Sequence, residues 1–219
     1  MTDVDPHVPG PAMSQAQRVR TRIEIAAVGL LSVEGARIAA EARLDLFGVV
    51  VIGLITALGG GLIRDVLLGD VPPPGLRSWP LLAVSVAGAV VVIVGYPYVD
   101  HLPTWCYVTL DAAGVGLFCV AGAAKTLDLG LHFSLALVMG VLTGVGGGVV
   151  RDMMIDVVPL VLRAELYAVS LLVGAGVFVA LTAWGRSRGL AMVAGGSVFC
   201  VLRLLSVWQD WNLPTVRGI

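Results

Sequence analysis

Two heptads carry the chemistry of this chain. Gly59-Gly60-Gly61-Leu62-Ile63-Arg64-Asp65 returns 87 residues further on as Gly146-Gly147-Gly148-Val149-Val150-Arg151-Asp152. Each places three residues without a Cβ about one turn ahead of an Arg–Asp pair. A glycine in a helix interior costs up to about 1 kcal/mol and leaves the backbone open. Three in succession predict a break or kink, with the freed carbonyls and amides serving as ligands for ions or polar solutes. An arginine at the centre of a membrane helix is unfavourable by roughly 2.5–3.5 kcal/mol, so Arg64 and Arg151 need a carboxylate or water. Asp65 and Asp152 point about 100° away from their neighbouring arginines on a helix. Each pair therefore need not close on itself; an inverted relation between the copies lets Arg64 reach Asp152 and Arg151 reach Asp65, with Glu34 as the alternative partner for either. No Lys-Ser or Lys-Thr follows the glycines, which argues against a phosphate loop. The competing reading is that the glycines only allow close helix packing and the arginines snorkel. A charged pair in both copies is more than packing requires.

Other polar residues interrupt the apolar runs. Thr56 and Thr143 precede the triplets by one turn; each can offer its hydroxyl to an ion or bond its own i−4 carbonyl. Glu34 and Arg37 share one helical face at i,i+3, with Glu34 near mid-span, either as a cavity residue or as an intrahelical pair. Asp111 falls early in its run and reads as interfacial, and Lys125 closes that run and reads as snorkelling. His7, His101 and His132 are isolated. No HExxH, nucleophile elbow or metal-spaced Cys/His set is present, so neither an enzyme nor a cofactor is expected. Cys106, Cys119 and Cys200 form no CxxC pair and read as inert thiols.

The elements that hold these residues are set by composition. Of 219 residues 58% are hydrophobic and 13% charged, with mean hydropathy +0.94 and net charge −1. A soluble domain is about 45–50% apolar and about 25% charged. The composition excludes an ordinary soluble enzyme, a disordered chain and a nucleic-acid binder. It points to a multi-pass protein of the inner or plasma membrane. The apolar runs are 23–42, 46–69, 79–97, 105–124, 131–157, 165–184 and 189–208, and each must be helical inside a bilayer. Trp79, Trp105, Tyr107, Tyr167, Trp184, Trp208 and Trp211 fall near their ends as interfacial belts. Arg18, Arg20, Arg22, Arg77, Lys125, Arg186 and Arg188 lie on the N-terminal side, against Arg43, Arg163 and Arg217. That count favours a cytoplasmic N-terminus.

The 87-residue offset extends beyond the heptads. Gly29, Leu30, Val33, Gly35 and Ala36 return as Gly116, Leu117, Val120, Gly122 and Ala123, and Val71-Pro72 returns as Val158-Pro159. Three spans per copy is an odd number, so the second copy enters the membrane inverted. The expected fold is an all-α membrane protein of seven transmembrane helices. It comprises an inverted three-plus-three repeat and a seventh helix, with the second and fifth helices broken at the glycine triplets. Residues 1–21 read as a disordered polar tail and 22–208 as a single transmembrane domain. Within it, repeat one is about 23–98, repeat two about 105–185 and the extra helix about 189–208. Residues 209–219 form a C-terminal tail.

Seven spans, an inverted repeat and GGGxxRD in the second and fifth helices resemble the prokaryotic trimeric intracellular cation (TRIC) channels. Bacterial relatives of this kind are also labelled glycine transporters. The resemblance covers about Ile23 to Trp208. It implies a homotrimer in the bilayer with one hydrophilic pore per protomer, passing potassium, sodium and similar ions. Onto this chain it carries Gly59, Gly60, Gly61, Arg64, Asp65, Gly146, Gly147, Gly148, Arg151 and Asp152. The Lys-Glu-Gly motif of animal members is absent. The family is usually drawn with an external N-terminus, against the charge count. A small-zwitterion transporter and a scaffold without a through-path are the competing functions.

Overall fold

A computed structural model describes residues 15–99, 101–163 and 166–211. Its elements are α1 (Gln15–Glu41), α2 (Leu46–Leu67), α3 (Pro74–Arg77), α4 (Trp79–Val99), α5 (Thr104–Asp128), α6 (Phe133–Met154), α7 (Leu160–Arg163), α8 (Tyr167–Ala183) and α9 (Arg188–Trp208). Among the described residues all regular structure is helical. Helices α2, α4, α5, α6 and α9 are long and apolar enough to cross a bilayer. Helix α8 is apolar but has 17 residues, and α1 carries charges along its 27-residue length. The long helices match the apolar runs to within a few residues, except at the start of α1. Residues 15–21, expected in the polar tail, are helical. Val19 packs into an apolar cluster with Phe178 and Met192, and Arg20 pairs with Asp128 at 2.6 Å, so this polar turn has tertiary anchors. The rest of that tail, 1–14, and residues 212–219 of the C-terminal one lie outside the described residues.

Helix ends repeat as the sequence does. Asp45 caps α2 by accepting from the Gly48 amide at 2.8 Å; its counterpart His132 caps α6 by accepting from the Ser134 amide at 3.3 Å. At the other ends, Gly69 and Asp156 stand in the left-handed region after α2 and α6, as do Arg43 and Gly130 after α1 and α5. These too are pairs at the 87-residue offset. The one-turn helices α3 and α7 are a further such pair.

Helix α4 packs on α1 and α2, and α8 packs on α5 and α6, while α1 meets α5 and α2 meets α6 between the halves. This arrangement is a pseudo-two-fold. Helix α9 lies against α5 and α8. One end of the bundle gathers the start of α1, the end of α5 and the start of α9, tied by Arg20 and Arg188 on Asp128. The opposite end gathers the starts of α5 and α8 with the end of α9, where Tyr167 meets Asp111 and Arg203 lies over the Tyr167 ring. Large apolar side chains such as Phe47, Val94 and Val193 face outward, as suits a surface solvated by lipid tails.

The expected breaks in the second and fifth long helices do not occur: α2 and α6 run unbroken through their triplets. The glycines instead mark where the two helices cross. A Cβ on Gly60 would fall on the carbonyl oxygen of Thr143, and one on Gly147 on the carbonyl oxygen of Thr56. A break in an apolar medium leaves amides and carbonyls without partners. Keeping both ladders intact and using the missing side chains for backbone-to-backbone approach avoids that cost.

Candidate ion pathway

The repeat builds one charged cavity at each end of the bundle. The first has a volume of about 210 Å³ and the second about 620 Å³, with a 20 Å³ pocket beside it that shares Asp111, Arg151 and Asp152. Glu24, Val28, Leu58, Gly61, Arg64 and Asp65 line the first. Their counterparts at the 87-residue offset, Asp111, Val115, Val145, Gly148, Arg151 and Asp152, line the small pocket. Phe118 in the first exchanges with Leu31 in the small pocket, as a two-fold requires. Val28, Leu31, Leu58, Val115 and Phe118 belong to a single buried apolar cluster, so one hydrophobic wall serves both cavities.

In the first cavity Arg64 is almost fully buried. Its Nε donates to Asp65 Oδ1 at 2.7 Å and its other face to Glu24 at 2.8 Å. Lys125 donates to the same Asp65 oxygen at 2.7 Å and to Asp70 at 2.6 Å. Asp70 lies in the loop after α2, and the hydrogen bond from Lys125 holds its carboxyl below the usual carboxylate range. In the second cavity Arg151 donates to Asp152 at 2.8 Å, and Asp152 also accepts from the Leu160 amide at 2.9 Å, which fixes α7. Asp111 accepts from the Tyr167 hydroxyl at 3.0 Å. Arg37 donates to Glu34 at 3.2 Å and to Glu41, with its guanidinium 4.0 Å from the Tyr107 ring centroid.

The expected pairing across the repeats is not what forms. Each arginine closes on the aspartate beside it, because Arg64 and Arg151 sit at opposite ends of the bundle and the guanidinium can fold back over its own helix end. Glu34 takes Arg37 rather than Arg64 or Arg151. Lys125 does not snorkel; it turns inward onto Asp65. Asp111 is inside the second cavity rather than interfacial, and Tyr167, expected in an aromatic belt, is buried against it. The threonine alternative is decided locally: Thr56 donates to Ile52 O at 2.7 Å and Thr143 to Met139 O. Both are buried. Cys106, Cys119 and Cys200 are free thiols.

Of the residues singled out in the sequence, Arg64, Asp65, Gly61, Arg151, Asp152, Gly148, Thr56 and Glu34 line the cavities or the small pocket, whereas Gly59, Gly60, Gly146 and Gly147 lie at the helix crossing; Glu24, Lys125, Tyr167 and Arg203 were not assigned to the cavities. One signal was available. Glu24 and Asp111 stand at the 87-residue offset as two acids and could have been paired with the arginines on that ground. Arg203 belongs to the unrepeated helix and had no such mark.

An all-helical bundle with inverted halves, lipid-facing flanks and buried ion pairs at both ends defines a multi-pass protein of the cell membrane. A family model described as glycine transporter matches residues 21–97 and again 108–183, one match for each half. The inner membrane protein YadS of Escherichia coli is 33% identical over 88% of this chain and 94% of its own. Membrane protein YvgT of Bacillus subtilis is 34% identical over 87% and 94%. Among solved structures, a TRIC cation channel superposes with a TM-score of 0.82 at 30% identity, over 89% of this chain and 96% of that one. The TRIC orthologue from Rhodobacter sphaeroides gives 0.80 at 34%, over 88% and 100%. The chain belongs to the prokaryotic TRIC channel family, which the glycine-transporter family model also describes. Its relatives are membrane and channel proteins.

Proposed function

We propose that each protomer conducts monovalent cations, of the potassium or sodium type, between the two charged cavities and past the α2–α6 crossing. The observation that carries this reading is the charge balance around the arginines. Two bare guanidiniums on a conduction path would favour anions. Here Arg64 is neutralised by Glu24 and Asp65, and Arg151 by Asp152. Among the described residues the second cavity is lined by four carboxylates, Glu34, Glu41, Asp111 and Asp152, and three guanidiniums, Arg37, Arg151 and Arg203. Relatives described as TRIC cation channels support the same assignment. The shared apolar cluster, with Phe118 lining the first cavity and Leu31 the small pocket beside the second, is the gate on this reading, since a narrow apolar constriction excludes water until it widens. All seven long helices span the bilayer. The transmembrane domain covers 22–208, flanked by the two tails. Three protomers assemble around the channel-bearing units, as the relative described as trimeric suggests.

Planar-bilayer recording of purified protein in a potassium chloride gradient tests the proposal. Discrete ohmic openings with a reversal potential on the cation side are expected, and openings that prefer chloride overturn it. The second reading, a transporter for a small zwitterion such as glycine, draws on the family model's description and on the mixture of guanidinium and carboxylate around the larger cavity. Electrical silence with saturable uptake of labelled glycine would establish that alternative. Light scattering in mild detergent tests the trimer; a monomer mass for active protein removes it.

A further inference from the structure

We propose that the larger cavity holds a partly dehydrated monovalent cation on Glu34, with Asp111 across the same cavity, and that the Lys125 ammonium plays the corresponding part at the other end. The proposal rests on the cation reading and names where such an ion binds.

Glu34 is 5% exposed. Its Oε1 receives only the 3.2 Å contact from Arg37, longer than the roughly 2.7–2.9 Å of a well-made charge-assisted bond. That guanidinium is shared with Glu41 and with the face of Tyr107. Among the described residues the buried Oε2 of Glu34 has no hydrogen-bond partner, although the residue lines a cavity of about 620 Å³. A buried carboxylate oxygen without a donor is costly and calls for a cation or a proton.

The first cavity indicates which cation. Set Lys125 aside, and its lining has three carboxylates, Glu24, Asp65 and Asp70, against two guanidiniums, Arg20 and Arg64. That is an excess of one, the same as in the second cavity. At the first end the Lys125 ammonium sits among these carboxylates, between Asp65 and Asp70 at 2.7 and 2.6 Å, with the exposed Arg77 3.8 Å from Asp70 and Arg20 turned to Asp128. The counterpart of Lys125 at the 87-residue offset is Ile38, which lines the second cavity and brings no charge. The counterpart of Glu34 is Ala121, so the unmatched carboxylate exists at one end only. A single monovalent ion restores the balance there. A divalent ion would overshoot it, and among the described residues no group of three acidic, histidine or cysteine side chains is placed to hold one.

The test is cation-dependent thermal stability of the purified full chain in detergent, comparing potassium chloride, sodium chloride and choline chloride at equal ionic strength. A saturable rise of about 2–4 °C in potassium or sodium over choline is expected for the parent. Glu34→Gln should abolish the rise. Ile38→Lys, which tethers an ammonium in the second cavity as Lys125 does in the first, should also abolish it while keeping the melting point at or above that of the parent in choline. This second variant keeps the test decisive if Glu34→Gln folds poorly. No difference between potassium and choline in the parent overturns the site, as does a full rise retained in Ile38→Lys. A rise with glycine in place of salt overturns it in favour of a zwitterion. Bilayer recording separates the two claims. Silent membranes with an intact potassium-dependent rise remove conduction and leave the site, whereas cation currents without any rise remove the site and leave conduction.

Discussion

Lys125 Nζ lies 2.7 Å from Asp65 Oδ1, the same oxygen that accepts from Arg64 Nε at 2.7 Å. One buried carboxylate oxygen thus holds two cations contributed by α2 and α5. At the inverted end, among the described residues, Asp152 pairs with the one side-chain cation Arg151, since the position of Lys125 is taken by Ile38. The two Arg–Asp pairs are equal in sequence and unequal in duty.

Asp65→Asn should therefore be the more harmful of the two equivalent changes. It leaves two buried cations without their shared anion, and breaking a buried pair by removing one partner costs about 3–5 kcal/mol. Asp152→Asn strands one guanidinium beside the larger cavity, where water can reach it, and should cost less. Thermal unfolding of both variants in the same detergent checks the order; equal losses would contradict it.

Gly60→Ala and Gly147→Ala should each destabilise by about 1–3 kcal/mol, because the new Cβ meets a carbonyl oxygen of the other helix at the crossing. Gly148→Ala should be nearly neutral, since its Cβ would lie 3.6 Å from the flexible end of Arg151. Unfolding midpoints of the three variants measure this contrast. A neutral Gly60→Ala would mean that the crossing is looser than the geometry requires.

Arg43 and Asp156 adopt φ values of 59° and 57°, where their repeat counterparts are Gly130 and Gly69. A side chain in the left-handed region costs roughly 1–2 kcal/mol for ordinary residues and less for Asp. Arg43→Gly should raise stability by about 1 kcal/mol, and Asp156→Gly by less. Gly130→Ala and Gly69→Ala should lower it, although neither meets a neighbouring atom. Melting temperatures of the four variants decide whether backbone conformation alone sets the sign.

The pH response follows from Asp70. Its carboxyl is held below the normal range by Lys125, so its folded-state pKa is below the unfolded one of about 3.9. The stabilisation is present above the unfolded value and is lost as pH falls through the folded value. Asp70→Asn should flatten the stability profile below about pH 4. An unchanged acid limb would show that other carboxylates dominate it.

Composition and the 87-residue repeat determined the helical membrane class, the helix limits to within a few residues except at the start of α1, and the inverted halves. These are properties of local hydrophobicity and of parity, and both are written along the chain. The heptads located the arginines and aspartates for the same reason. Tertiary structure decided the rest. Whether three glycines break a helix or let two helices touch depends on what lies opposite, and Thr143 and Thr56 stand opposite here. Whether Arg64 meets Asp65 or Asp152 depends on which ends of antiparallel helices come together. Lys125 reads as a snorkelling terminus along the chain because it closes an apolar run, and the local acid, Asp128, is taken by Arg20 and Arg188. Its anions, Asp65 and Asp70, arrive from sixty and fifty-five residues away, and only the packing of α2 against α5 brings them there.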